Sequence, residues 1–338
     1  MQQLFDEEDR FIPYKLRGVG RGHSKTGQRK KWTKKSYFEI DLLRKDLREL
    51  GPFAFTNKFA GCSPADVVFI WRKIRKHVIR PRETEVHARN KLLMWLDKLH
   101  NDLSWNQVKV SYQIGKATAI QYVNDDLLPG MLTAYEGSDI ISFQNEQVRR
   151  RMMAVNKKRG KSMAHALYTM DGKHVRCLGS HIKVRMSHKH KFKPCFNCLF
   201  VIERTFGTVC AYNLDECATK HDLTMLRQSS WYQNLIELTD GWIIMADKGY
   251  VGVNFPTIAP CLKKNDKRKK LYSHDFWFNL QTARSDSERV FAQFFVNKYK
   301  QLAYWPGKGP NAFRNWAMNV TCGIIVYNEF KLLHARVC

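Results

Sequence analysis

With 338 residues the chain is long enough for one large domain or two of ordinary size, and its 44% hydrophobic and 12% aromatic content lets most of it bury a core. Its 57 Lys and Arg against 31 Asp and Glu leave a formal charge of +26, which points to a polyanionic partner because each neutralised phosphate releases condensed counterions. No apolar run approaches the roughly 20 residues of a spanning helix, and the acidic start (Asp6, Glu7, Glu8, Asp9) is unlike a secretory signal, so nucleic acid is preferred over a lipid surface and no membrane role is expected.

The first expected unit is a flexible basic arm over residues 1–36. Residues 15–35 carry nine Lys or Arg and no acid, with Gly18, Gly20, Gly22 and Gly27 interspersed, and such a block cannot bury itself. Lys30, Lys31, Lys34 and Lys35 would lie on a DNA backbone or in a minor groove; the same residues also suit a nuclear-import tag, and the nucleus is the expected compartment. Residues 37–145 read as a helical domain. Ile40, Leu43, Leu47 and Leu50 recur at helical spacing, as do Val67, Ile70, Ile74 and Val78, then Leu92, Leu93, Leu96 and Leu99.

Within it, Ser104-Trp105-Asn106-Gln107 reads as a capping box opening a short helix to about Tyr112. The turn Gln113-Ile114-Gly115 follows, and a second helix starts at Lys116 with Ala119, Ile120 and Val123 inward and Gly115 as its N-cap. This is the layout of a helix-turn-helix at about 104–128, in which Lys116, Ala117, Thr118 and Gln121 would face base edges in the major groove. An ordinary antiparallel helix pair has the same pattern. Residues 146–162, with Arg149, Arg150, Arg151, Lys157, Lys158, Arg159 and Lys161, read as a basic linker and domain boundary.

From residue 163 to 338 the texture changes. Ala164–Met170 reads as a strand ending at Asp171, with further strands at His181–Met186 and Phe196–Glu203, and a continuation or separate strand at Gly207–Tyr212. A helix is expected from about Thr219 to Leu238. The apolar run Gly241–Ala246 closing in Asp247 reads as a fully buried parallel strand. A basic insertion over about 251–283 precedes a helix beginning near Ser285 that carries Glu288. In that insertion Lys267, Arg268, Lys269 and Lys270 would hold flanking or target DNA, or keep a solvated loop polar. The order of strands, helix, buried strand and helix predicts an RNase H-like domain, a mixed sheet flanked by helices (α+β / α/β), behind an all-α DNA-binding domain.

The nine cysteines are odd in number and scattered, as in an intracellular protein with reduced thiols. Cys195 and Cys198, with His188 and His190 nearby, raise zinc as an idea. A strand reaching back to Cys195 would put the two thiols on opposite faces, which argues against it. Two carboxylates at neighbouring strand ends and a third on a helix form instead a hard oxygen site suited to Mg2+ or Mn2+. Two such ions can clamp the attacking and leaving oxygens of a displacement at phosphorus. No organic cofactor is expected.

The residues around these acids resemble the PIF/Harbinger and IS5-like DDE transposases. Thr169-Met-Asp-Gly-Lys-His174 is similar to their first-acid motif, and Ala246-Asp-Lys-Gly-Tyr250 to their second. His221-Asp222 matches an intervening His-Asp pair, and Phe278-Asn279 with Arg284-x-x-x-Glu288 matches the lead into the third acid. The helix-turn-helix behind Lys91-Leu-Leu-Met-Trp-Leu96 also sits where that family has one. Together these matches span about residues 89 to 300.

The departures are Lys248 in place of a small residue, Gln281 at the position of a bacterial Tyr and Phe295 at that of a bacterial Lys, with Lys298 one turn later. Asp286 competes with Glu288 as third acid; the spacing from Arg284 favours Glu288. Asp222 reads as structural or supporting, and which basic group would touch the transferred phosphate stays open between Arg284, Lys298 and others.

The resemblance implies Asp171, Asp247 and Glu288 as catalytic acids holding two Mg2+ or Mn2+ ions. It implies hydrolysis at the ends of a mobile element and attack of the freed 3′-hydroxyl on target DNA. It also implies a dimer or larger assembly on the two ends, and in many eukaryotic relatives a Myb-like partner. The rival expectations are a domesticated DNA-binding descendant that no longer cuts and a nuclease without strand transfer.

Overall fold

Capping chemistry sets out the helices of the first half. The computed structural model describes residues 40–177, 185–187, 193–217, 220–238, 244–247, 250, 258–260, 265, 270, 273–305 and 311–335. The basic arm with Lys30, Lys31, Lys34 and Lys35, the insertion residues Lys267, Arg268 and Lys269, and His188, His190 and Lys248 lie outside the described residues. Helix α1 (Leu42–Lys58) starts on Asp41 and kinks at Gly51, whose φ of 74° a side chain would strain, ahead of Pro52. Helix α2 (Pro64–Val78) opens on a capping box between Ser63 and Asp66 with proline in its first turn. Helix α3 (Glu85–His100) starts on Thr84 and is buried almost all round from Asn90 to Leu99.

The expected capping box at Ser104 and Gln107 is present: Ser104 N donates to Gln107 Oε1 (2.7 Å) and Gln107 N to Ser104 Oγ (3.3 Å). It opens α4 (Trp105–Tyr112), which ends at Gln113 in the left-handed region (φ 51°, ψ 39°). Gly115 precedes α5 (Lys116–Gln121), which passes through a π-helical segment (Tyr122–Leu127) into α6 (Leu128–Ala134). Ala119 and Val123 face inward as the periodicity predicts, Ile120 is half-buried, and Lys116, Ala117 and Gln121 are exposed.

Residues expected to form a linker are instead helix α7 (Glu146–Lys158), capped by Asn145 and burying Arg149, Met152 and Asn156. The arginine-rich sequence hides a sparse inward stripe. One apolar core runs from Leu42 through Trp95 and Val123 to Phe200, Phe294 and Tyr327. Trp95 Nε1 donates to Asn319 Oδ1 (2.8 Å) and His100 Nδ1 meets the Lys298 carbonyl (2.9 Å), tying first half to last.

The second half is a seven-stranded mixed sheet flanked by helices, giving an α+β fold. Strand β1 (Tyr168–Cys177) lies at its centre. Antiparallel β3 (Lys193–Glu203) pairs with one edge of β1, and β2 (Arg185–Ser187) and β4 (Thr208–Cys217) pair antiparallel with β3. On the other edge of β1 run β5 (Ile244–Ala246) and, beyond it, β6 (Ile258–Pro260), both parallel. The two-residue β7 (Tyr304–Trp305) meets the far end of that edge at Arg176 and Cys177.

The strand expected at 164–170 thus starts four residues later and carries Asp171 in its interior. Met163 (φ 52°) and the carbonyls of Met163 and Ala166 belong to a turn that Arg204 ties down. The expected helix over 219–238 is two short ones, α8 (Asp222–Gln228) and α9 (Tyr232–Leu238). The last helices are α10 (His274–Phe291), which starts well before Ser285 on the cap Ser273, and α11 (Ala312–Ala335). Met245, Leu280 and Ala283 seat α10 on one sheet face, while Met170, Met225, Leu226 and Ala246 form the core with α8 on the other.

Candidate active site

The register of β1 and β5 brings two acids together. Met170 pairs with Ala246 in the last parallel rung, so Asp171 and Asp247 each stand one residue beyond it. Side chains alternate along a strand, so Asp171 shares the face of Thr169 and of its rung partner Met245, which is the α10 face. The next rungs on this edge of β1 are Arg176 and Cys177 with β7. Among the described residues no strand pairs with this edge of β1 between Asp171 and Val175, a notch at whose start Asp247 follows β5.

Electrostatics report the crowding. The Asp171 carboxyl is pushed up to about 7, first by burial and then by the Asp247 charge, with Asp222 adding a smaller push. The Gly172 amide, donating to Asp171 Oδ1 at 2.8 Å, and the Arg284 guanidinium pull the other way. Tyr250, fully buried, has its hydroxyl in the field of Asp222, Asp171 and Asp247, and its pKa is raised mainly by burial.

Helix α10 supplies the third candidate acid at one remove. Arg284 Nη2 pairs with Glu288 Oε1 at 3.2 Å, one turn on, while its charge also bears on Asp171. The Glu288 side chain is 59% exposed and that of Arg284 29%. Among the described residues no three His, Cys, Asp or Glu side chains stand close enough to hold one metal ion. The structure therefore brings Asp171 and Asp247 together and leaves Glu288 on Arg284. An exposed pair at this spacing contributes about 0.3–0.5 kcal/mol, so Glu288 is only weakly held there.

The competing acid is committed elsewhere. Asp286 Oδ2 accepts from Arg204 Nε (2.8 Å), and its other oxygen accepts from Arg289 (2.5 Å). Arg204, whose side chain is 1% exposed, donates also to the carbonyls of Ser162, Met163 and Ala166. This anchor of α10 onto the sheet was not read in the sequence, where Arg204 sits at a strand end without a distinguishing pattern.

Lys298 is turned away from the acids. Its ammonium donates to the Ala60 carbonyl (3.1 Å) and stands 3.6 Å from the Phe330 ring centroid, with its pKa lowered by burial. That leaves Arg284 as the cation of the expected set whose charge reaches Asp171. The thiols of Cys195 and Cys198 sit three residues apart on β3, hence on opposite faces, and both are buried. No helix of the described residues is long and apolar enough to cross a membrane.

Asp171 and Asp247, with Asp222 nearby, offer oxygen donors only. Together with a fully buried Tyr250 hydroxyl that has no hydrogen-bond partner among the described residues, that donor set fits a hard divalent cation retaining several waters. Compared with family models, curated proteins and solved structures, the chain matches none.

Proposed function

We propose that this chain is a DNA transposase of the DDE type, cutting and joining DNA with a divalent cation held by Asp171, Asp247 and Glu288. The observation that carries the reading is the matched position of Asp171 and Asp247, one residue past the last parallel rung of β1 and β5, facing the helix that bears Arg284 and Glu288. The strand sequence β4-β3-β1-β5-β6, with its antiparallel hairpin and parallel returns, supports an RNase H-like catalytic unit.

In this reading Asp171 and Asp247 would hold the cation, which would supply polarisation of a phosphodiester and stabilise the charge of an in-line displacement. Arg284 balances the acids and then takes a phosphate oxygen when Glu288 turns to the site. Because the Arg284–Glu288 pair contributes only a fraction of a kcal/mol, it would hold Glu288 away from the site only weakly. The pair α4–α5 acts as the helix-turn-helix, with exposed Lys116, Ala117 and Gln121 and half-buried Thr118 on base edges. The +26 charge, the basic arm and the 267–270 segment hold backbone. The nucleus, pairing of two or more copies on two DNA ends, and a Myb-like partner complete the proposal.

The test is incubation of the purified chain with DNA carrying the repeats that flank its own coding sequence, plus Mg2+ or Mn2+. Nicks at the repeat ends and joined products are expected, and both should disappear with Asp171→Asn. Binding without nicking would replace the proposal with a DNA-binding descendant; nicking without joining would reduce it to a nuclease.

A further inference from the structure

One carboxylate at the notch is left over from the three acids above. Asp222 opens α8 and is half-buried. It does not cap that helix, since His221 Nδ1 accepts from the Leu223 amide (3.2 Å) in that role. Instead Asp222 Oδ1 accepts from Asn197 Nδ2 (3.1 Å), and Asn197 is 1% exposed in the middle of β3. The backbone is shaped to admit this carboxylate. A Cβ at Gly172 would stand 3.1 Å from Asp222 Oδ1 and 3.3 Å from Asn197 Oδ1, so a bare residue next to Asp171 is what lets Asp222 come this close to β1.

A second observation is independent of the acids. Tyr250 is fully buried, its hydroxyl has no hydrogen-bond partner among the described residues, and the charges bearing on it are Asp222, Asp171 and Asp247 in that order. A buried unsatisfied hydroxyl costs about 1–3 kcal/mol. Asn197 Oδ1 is likewise buried and unpaired. Two orphaned polar atoms thus flank the carboxylates on the α8 face. Asp171 and Asp247 serve the α10 face, and the notch at the β1 edge joins the two.

We infer that Asp222 is a positioning residue for the divalent cation held by Asp171 and Asp247, accepting hydrogen bonds from its hydration shell through the notch, with the Tyr250 hydroxyl as a neighbouring donor. The inference rests on the metal-dependent reading of the site. Direct ligation by Asp222 is not required, since the described acids are not gathered in threes, and Mg2+ and Mn2+ keep several waters. Groups in this outer position typically change metal affinity by about 10–100-fold.

The experiment is Mn2+ titration of the full chain, without DNA, followed by electron paramagnetic resonance. Wild type, Asp171→Asn, Asp222→Asn and Tyr250→Phe are compared, with urea unfolding of each metal-free protein. Asp222→Asn keeps a side-chain carbonyl for Asn197 and should unfold at the wild-type midpoint while binding Mn2+ about 10–100-fold more weakly. Tyr250→Phe should weaken it less. Wild-type affinity in Asp222→Asn would overturn the inference while leaving the site standing. If Asp222→Asn also loses stability, Asp222→Glu decides: recovered affinity supports a charge role, and affinity as low as that of Asn makes the residue structural and overturns it. Wild type without a Mn2+ site, or one indifferent to Asp171→Asn, would remove the metal reading and this inference together.

Discussion

Arg204 and Asp286 form an ion pair at 2.8 Å with the arginine side chain 1% exposed, and that pair commits Asp286 to holding α10 in place. Asp286 is the clamp that fixes α10 to β3 and to the turn before β1. Glu288, two residues on, stays exposed beside Arg284. Removing one partner of a buried pair costs about 3–5 kcal/mol because the other charge is left unpaired. Asp286 retains 13% exposure and Arg204 keeps its three carbonyls, so the lower end applies. Asp286→Ala should destabilise by roughly 3 kcal/mol in urea unfolding. Glu288→Gln should shift the midpoint by under about 0.5 kcal/mol and, on the proposed function, abolish DNA cleavage. Loss of stability in Glu288→Gln and of activity alone in Asp286→Ala would reverse the assignment.

The raised Asp171 carboxyl makes a pH prediction. Its folded pKa of about 7 lies above the usual aspartate value of 3.8. Between those values the folded chain keeps a proton the unfolded chain has lost, so metal-free stability should fall as pH rises through that window. The slope from this group is at most about 1.4 kcal/mol per unit. Asp171→Asn should flatten it. Mn2+ competes with that proton, so its affinity should rise with pH up to about 7 and then level off. A midpoint of metal binding near pH 4 would show that the carboxyl is not held protonated.

The position of Asp247 was legible in the sequence because an apolar run closing in an acid marks the end of a buried strand, here β5. The capping box at Ser104 was legible because Ser and Gln three residues apart satisfy each other's backbone locally. Helix α7 was not, since its inward residues Met152 and Asn156 are sparse among arginines and only tertiary packing selects them. Nor was the start of β1: the turn at Met163–Ala166 is held by Arg204 from a distant strand. The commitment of Asp286, the orphaned Tyr250 hydroxyl and the approach of Asp222 to Gly172 depend on residues far apart in the chain.

Lys91 supplies a prediction for the helical half. Its side chain is 0% exposed and its ammonium meets Asp126 Oδ2 and Glu83 Oε1, each at 2.7 Å. Asp126 lies in the π-helical segment that continues α5, so this buried network seats the second helix of the pair against α3. Lys91→Met would take the buried cation from both carboxylates and leave Asp126 with Arg80, at a cost of about 3–5 kcal/mol, read as a shift in urea unfolding. A change below about 1 kcal/mol would mean that Arg80, also on Asp126, carries the balance by itself.

The division of labour on DNA gives the last prediction. Lys116 and Gln121 stand exposed at the start and end of α5, while Ala119 between them is buried, so their side chains can meet base edges if this helix enters a major groove. Lys116→Ala or Gln121→Ala should then reduce discrimination between the preferred repeat and an unrelated duplex by roughly 1–3 kcal/mol for each base edge no longer read, with little change in affinity for the unrelated duplex. On the same proposal the arm would contact phosphates, which carry no sequence. Replacing Lys30, Lys31, Lys34 and Lys35 with Ala should weaken binding to both duplexes alike. The log–log salt slope should also fall by about 0.9 for each phosphate no longer neutralised. Fluorescence anisotropy on both duplexes across a salt series separates the two effects. Arm variants that change preference, with α5 variants that leave it intact, would move sequence reading from the helix pair to the arm.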